Sequence, residues 1–313
     1  MIPFKPLELS DKKAIDACLA DNTFRACDFC FANLYSWQAK FKTTFAVMEQ
    51  TLFIRYFDTD GQLCYTMPMG KMPLKDALLL VIKDAEENNI PLILKCVTRR
   101  MWICIEKAMP NVFQYIHDRD NDEYIYKSER LINLTGKKLQ AKRNHINRFK
   151  LEYPNWVYFS LTSTEDLKEC SEMLDKWEDL NIGKAEKSLR YDYIATKIML
   201  ENFHFLQLRG GTVRVNGNIV AFTIGEPLTK DTFVIHVEKA FAEMHGAYPI
   251  INQQFARYET TDFKYINREE DMGLEYLRQA KMSYYPDLIL QERILTPKSP
   301  KGDFANVRQE SPL

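Results

Sequence analysis

The order in which apolar spacing changes along the chain narrows its fold more than any other feature. In the second half, helical spacing over Thr164–Leu180 and Leu189–Phe203 gives way to a strand at Phe205–Leu208. A hairpin follows, Val213–Val215 and Ile219–Ile224 around the turn pair Asn216-Gly217. Then come strand Thr232–Ala240, helix Pro249–Tyr258, strand Phe263–Ile266, helix Gly273–Ser283 and strand Leu288–Ile294. The first half repeats the order of helix, strands, helix and strand. Thr43–Met69 reads as two or three strands, with Asp58–Gly61 turning Leu52–Tyr56 into Leu63–Met67. Leu74, Ala77, Leu78, Val81, Ile82 and Ala85 set a helix ending at Asn88, and strand Pro91–Val97 follows. Two similar α/β (α+β) units are expected, and not one parallel dinucleotide-binding sheet.

The polar stretch His117–Glu123 offers no obvious core residue and is the expected boundary, giving domains 1–122 and 123–295. Residues 296–313, rich in Pro, Lys and Ser, read as a disordered tail. A length of 313 residues suits two such domains.

Charge excludes further classes. The chain carries 42 Lys+Arg against 43 Asp+Glu, so no basic coat for DNA is expected, although a local patch is possible. The longest apolar runs, such as Ala77–Ile82, fall far short of the ~18 residues of a membrane span. The first residues lack the basic and apolar regions of a secretory signal, so a cytoplasmic location is expected. Seven cysteines, an odd count, read as reduced thiols, most of them packed among apolar neighbours. Cys27 and Cys30 have the spacing of a zinc or redox pair, but no second pair accompanies them. No metal is expected. The glycine loops that cradle dinucleotides or nucleoside triphosphates are missing. His236-Val-Glu238 has a zinc-deaminase spacing without the cysteine pair that would complete it.

Three constellations remain. Lys137–Lys150 holds six basic residues and no acid, and as a helix it puts Leu139, Ile146 and Phe149 on one side. Lys138, Lys142, Arg143 and Arg148 are candidate contacts to a polyanion such as tRNA phosphate or an anionic lipid headgroup. The alternative is a solvated face. In Phe233–Lys239, a period of two places His236 and Glu238 together on one face, with Phe233, Ile235, Val237 and Lys239 on the other. That pair can supply a general base, or a plain salt bridge. Asn267–Gly273 lies between a strand and a helix, where acids cap free N–H groups and where Asn267 and Arg268 could line a ligand cleft.

Three stretches together carry a resemblance: LTGKKLQAKRNHINRF (Leu134–Phe149), IHVEKA (Ile235–Ala240) with Gly246–Tyr248 and Ile251–Gln253, and INREEDMGLEYLRQAKMSYYP (Ile266–Pro286). Over roughly residues 20–295 the chain resembles soluble relatives of the phosphatidylglycerol lysyltransferase C-terminal domain family. The resemblance implies two tandem GCN5-related N-acyltransferase (GNAT) folds and aminoacyl transfer from charged tRNA to an amine or hydroxyl acceptor. It implies that Glu238, with His236, activates the acceptor, while Asn267, Arg268 and Lys281 orient substrate or stabilise an oxyanion. Acyl-CoA is the alternative donor, and a non-catalytic RNA- or lipid-binding protein the alternative of another class. Acyl-CoA enzymes of this fold carry Arg or Gln three residues before the first glycine of their pyrophosphate loop, and Ala242–Pro249 has neither there. Their tyrosine acid falls near Leu277, leaving Tyr276 or Tyr284 as substitutes.

Overall fold

The computed structural model describes residues 2–181 and 187–298. The chain divides into two compact units, one built from the chain up to Asp122 plus the strand residues from Leu290, the other from Glu123–Ile289. Both have a mixed α/β order.

The first unit contains β1 (Lys5–Pro6), α1 (Lys12–Leu19), α2 (Phe31–Phe41), β2 (Thr44–Met48), β3 (Thr51–Phe57), β4 (Leu63–Tyr65), β5 (Met69–Gly70), α3 (Leu74–Glu87), β6 (Leu94–Thr98) and α4 (Arg99–Ala108). β7 (Phe113–Lys127) leads into the second unit, which contains α5 (Ser128–Asn133), α6 (Gln140–Glu152), β8 (Trp156–Ser160), α7 (Thr164–Asn181), α8 (Lys187–Glu201) and α9 (Phe203–Leu206). β9 (Arg209–Val215), β10 (Asn218–Thr229), β11 (Thr232–Ala240), α10 (Ala247–Glu259), β12 (Tyr265–Asn267), α11 (Glu275–Met282) and β13 (Leu288–Pro297) complete the chain.

In each unit three antiparallel strands are followed by a helix and a parallel strand. β2, β3 and β4 are antiparallel and β6 runs parallel to β4. β9, β10 and β11 are antiparallel and β12 runs parallel to β11. The last strand of each set is exchanged. β13 pairs antiparallel with β6, and the end of β7 pairs antiparallel with β12. Residues 290–295, assigned from sequence to the second domain, therefore lie in the first unit, because their hydrogen-bond partners are there. Each unit has its own apolar core, around Phe53, Tyr65 and Val81 in the first and Phe149, Phe233 and Phe255 in the second.

Three sequence expectations change. His117–Glu123, expected to offer no core residue, is the middle of β7, and its Asp122 and Glu123 are buried. Asp122 accepts the Glu292 N–H at 3.0 Å, so its burial is matched by a distant partner. Phe205–Leu208 is not a strand, because Phe203 and Leu206 bury one face of α9 at helical spacing and Gln207 ends it with φ of 61°. β13 runs through Pro297, past the expected start of the tail, and the tail from 299 lies outside the described residues. All seven cysteines are unbridged, and Cys30 donates from Sγ to the Cys27 carbonyl at 3.2 Å. Among the described residues no helix is long and apolar enough to cross a membrane.

Candidate functional site

The site grows from a parting of strands in the second unit. β11 and β12 pair only over Thr232–Val234 and Tyr265–Asn267, after which β12 ends and β11 continues with β10 as its partner. Parallel sheets place ligands where strands separate at their carboxyl ends.

A β-bulge in β11 decides what faces this opening. Gly225 of β10 pairs with Ile235, and the next residue, Ile224, pairs with Val237, so His236 is the extra residue. One inserted residue reverses the alternation beyond it. Phe233 packs on Phe255 of α10 at 5.8 Å, and Glu238 also reaches α10, at Asn252. Lys239 points away, pairing with Asp192 of α8 and lying 4.1 Å from the ring centre of Trp177 of α7. The expectation that His236 and Glu238 share a face is thus corrected. His236, its side chain 1% exposed, is held instead by Glu269 at 2.7 Å and Glu226 at 3.1 Å.

Glu238 anchors the opening. Arg268 Nη2 donates to its Oε1 at 2.8 Å, and Asn252 Nδ2 donates to its Oε2 at 2.7 Å. Burial disfavours the Arg268 charge, but the attraction of Glu238 together with the Tyr126 and Tyr284 hydroxyls outweighs it and holds the guanidinium protonated. Arg268 lies 4.9 Å from the ring centre of Tyr284 and 5.7 Å from that of Tyr126. Lys142 of α6 reaches the same Tyr284 ring, its Nζ 4.1 Å from the centre. Burial, with the Arg268 charge beside it, pushes the Lys142 ammonium down to about 8 against the pull of Glu238. Burial pushes the Tyr126 and Tyr284 hydroxyls well up, so both stay protonated.

Two buried polar atoms of this cluster make no hydrogen bond: Arg268 Nη1, a donor, and Asn252 Oδ1, an acceptor. Buried polar groups are nearly always paired, so a donor and an acceptor of this kind around one carboxylate make the cluster the candidate site.

The other candidates are engaged with the turn after β12. Asn267 is fully buried, donates to Glu123 and accepts the Glu269 N–H at 2.7 Å, which fixes the turn after β12. Lys281 donates to the Arg268 carbonyl at 2.6 Å and to that of Glu270, so it clamps the same turn. Asp271 does not cap α11, whose N-cap is Leu274 without a side-chain cap bond; it accepts the Gly273 N–H at 3.0 Å in the turn before that helix, and also takes the Tyr124 hydroxyl at 2.5 Å and Arg278 at 2.9 Å.

The basic segment forms a 3-10 turn at Lys137–Leu139 and then α6, with Leu139, Ile146 and Phe149 buried as expected. Its charges do not form one face. Lys142 turns into the site, while Arg143 donates to the Leu134 carbonyl and, at 2.8 Å, to that of Gly136. Arg148 pairs with Glu152 at 2.6 Å, and Lys138 stays exposed, its Nζ 5.3 Å from the ring centre of Tyr285. Sequence reasoning missed Asn252 and Tyr126 as site residues. Asn252 lies in a run of polar residues, Asn252–Gln254, that a helix face packed on a sheet would not carry without partners. Tyr126 gives no such signal.

Comparison with known proteins places the chain. A crystal structure of a conserved protein of unknown function from Bacteroides thetaiotaomicron is 40% identical, covers 95% of this chain and 100% of its own, and superposes with a TM-score of 0.89. L-PGS from Bacillus licheniformis is 16% identical with 92% of each chain covered and shares the fold, with a TM-score of 0.63. An uncharacterized protein of Mycoplasmoides gallisepticum is 22% identical over 188 residues, and the match spans only 58% of that relative's length and 58% of this chain. The model of the phosphatidylglycerol lysyltransferase C-terminal family matches residues 21–293, so the chain belongs to that family.

Proposed function

We propose that this protein is a cytoplasmic acyltransferase that moves an aminoacyl group from charged tRNA to an amine or hydroxyl acceptor, on a lipid headgroup or a small molecule. Family membership supports acyl or aminoacyl transfer. The observation that carries the reading to these residues is the pair of unmet buried atoms, Arg268 Nη1 and Asn252 Oδ1, flanking Glu238 where β11 leaves β12. A donor held on a fixed guanidinium suits the oxygen of an ester carbonyl as it gains charge. The Asn252 carbonyl accepts an N–H or O–H of the reacting groups. Glu238, with both oxygens engaged, orients these two partners. Lys138, exposed beside Tyr285, is the member of the basic segment that best suits a phosphate.

The start of α10 argues against acyl-CoA as donor. A pyrophosphate on this helix needs free N–H groups at its first turn. Here the α6 backbone packs against that turn, so that a Cβ on Gly246, the residue preceding α10, would lie 2.4 Å from the His145 carbonyl oxygen.

The test is transfer of radiolabelled amino acid from charged tRNA to anionic-lipid vesicles or to soluble amines. Wild type should transfer, and Arg268→Lys and Asn252→Ala should each lose about 100-fold or more in kcat. Transfer from acyl-CoA and none from tRNA would replace the donor. Transfer from neither, with tRNA or vesicle binding retained, would make the chain a binding protein.

A further inference from the structure

Transfer needs a group that takes the acceptor's proton, and most titratable groups of the site are unsuited to it. Both Glu238 oxygens accept hydrogen bonds, and the Tyr126 and Tyr284 hydroxyls hold their protons. His236 lies on the other face of β11 between two carboxylates. His145, one turn beyond Lys142 on α6, is bonded through Nδ1 to His245 at 2.7 Å.

Lys142 remains. Its side chain is half-buried, and no carboxylate forms an ion pair with it among the described residues, Glu238 being committed to Arg268. Its Nζ lies 4.1 Å from the centre of the Tyr284 ring that Arg268 also approaches, at 4.9 Å, so the two cations share one aromatic neighbour and feel each other's charge. The charged and titratable groups around it are Arg268 after β12, Glu238 on β11, Tyr126 on β7, Tyr284 after α11, and Lys138 and His145 on its own segment. Burial first, then the repulsion of the Arg268 cation, disfavours its charge, and Glu238, engaged with that cation, pulls the other way.

Resting on the transfer reading above, we infer that Lys142 is the proton acceptor of this site. The acceptor hydroxyl or amine attacks the ester carbonyl and passes its proton to the Lys142 amine. The carbon–oxygen bond to the donor then breaks, and the Lys142 ammonium returns the proton to the leaving oxygen, which restores the amine. A titration near 8 leaves roughly a quarter of the molecules neutral at pH 7.5, enough for a base whose conjugate acid must also donate.

Two measurements test this. Lysines are labelled by reductive methylation with carbon-13 formaldehyde, the Lys142 signal is assigned with Lys142→Arg, and its titration is followed by NMR. A Lys142 midpoint more than one pH unit below the other lysines is expected, and a midpoint at or above 10 overturns the inference. In the tRNA assay, Lys142→Met and Lys142→Arg should both lower kcat about 100-fold or more with the KM for tRNA little changed. The acid limb of the wild-type pH profile should disappear in the residual activity, while melting temperature holds. A raised KM with kcat intact would make Lys142 a phosphate contact and overturn its role as base. If the wild type transfers nothing from any donor, the transfer reading falls and the base falls with it; an ordinary lysine titration in an active enzyme removes the base alone.

Discussion

Replacing Gly246 with alanine probes the packing of α6 on the start of α10, which seats Lys142 against the site. Gly246 has φ of +91°, a left-handed conformation that costs an L-residue about 1 kcal/mol. A Cβ there would also lie 2.4 Å from the His145 carbonyl oxygen and 3.0 Å from the Phe149 Cβ. An ordinary carbon–oxygen contact is ~3.3 Å, so α6 must retreat by nearly 1 Å, an overpacking worth about 1–3 kcal/mol. The expected loss is therefore about 2–4 kcal/mol. Gly217 supplies the control, since its φ is +85° but nothing lies within 4 Å of an added Cβ, and Gly217→Ala should cost only about 1 kcal/mol. Urea unfolding followed by hydrogen exchange in peptides of α10 and β10 reads both variants within one unit. Equal losses for the two, within about 0.5 kcal/mol, would refute the claim that α6 is packed tightly against this turn. Gly246→Ala should also slow transfer, because Lys142 lies one turn before His145 on the helix that has to move.

Three further outcomes are expected. Burial alone would raise the Asp271 carboxyl, but hydrogen bonds from Arg278, Tyr124 and the Gly273 N–H overcome it and hold it below its ordinary value. Its ionised form thus adds stability above the unfolded value of about 4, and that stability is lost as pH falls through the lower folded value. Asp271→Asn should cost about 3 kcal/mol at pH 7, with the gap to wild type closing below about pH 4 in a chemical-denaturation series. Lys138→Ala should leave stability unchanged and flatten the log–log salt dependence of tRNA binding by roughly 0.7 to 0.9. Arg143→Ala, which strips the Leu134 and Gly136 carbonyls of their donor, should instead lower stability by about 1–2 kcal/mol. A stable Arg143 variant with a changed salt slope would reverse these roles.

Much of the architecture was legible in the sequence because periodicity reports local backbone geometry. Ala77, Leu78, Val81 and Ile82 predict a helix and are the buried face of α3; Asn216-Gly217 turns β9 into β10; Leu139, Ile146 and Phe149 are the buried side of the basic segment. The doubled element order and the motifs from Leu134 to Pro286 point to the family by themselves. The arrangement of the site was not legible in the same way. A period of two carries no mark for one extra residue, so the bulge at His236, which separates His236 from Glu238, is set by how β10 registers against β11. The exchange of β7 and β13 follows from hydrogen-bond partners far away in the chain, and so does the burial of Asp122. Six basic residues between Lys137 and Lys150 look alike as letters. Only the surroundings decide that Arg143 is spent on backbone carbonyls, Arg148 on Glu152 and Lys142 on the site. A side chain's charge and role depend on what desolvates it and what lies within a few ångströms of it, and residues as distant in sequence as Lys142, Glu238 and Arg268 become neighbours only in the folded chain.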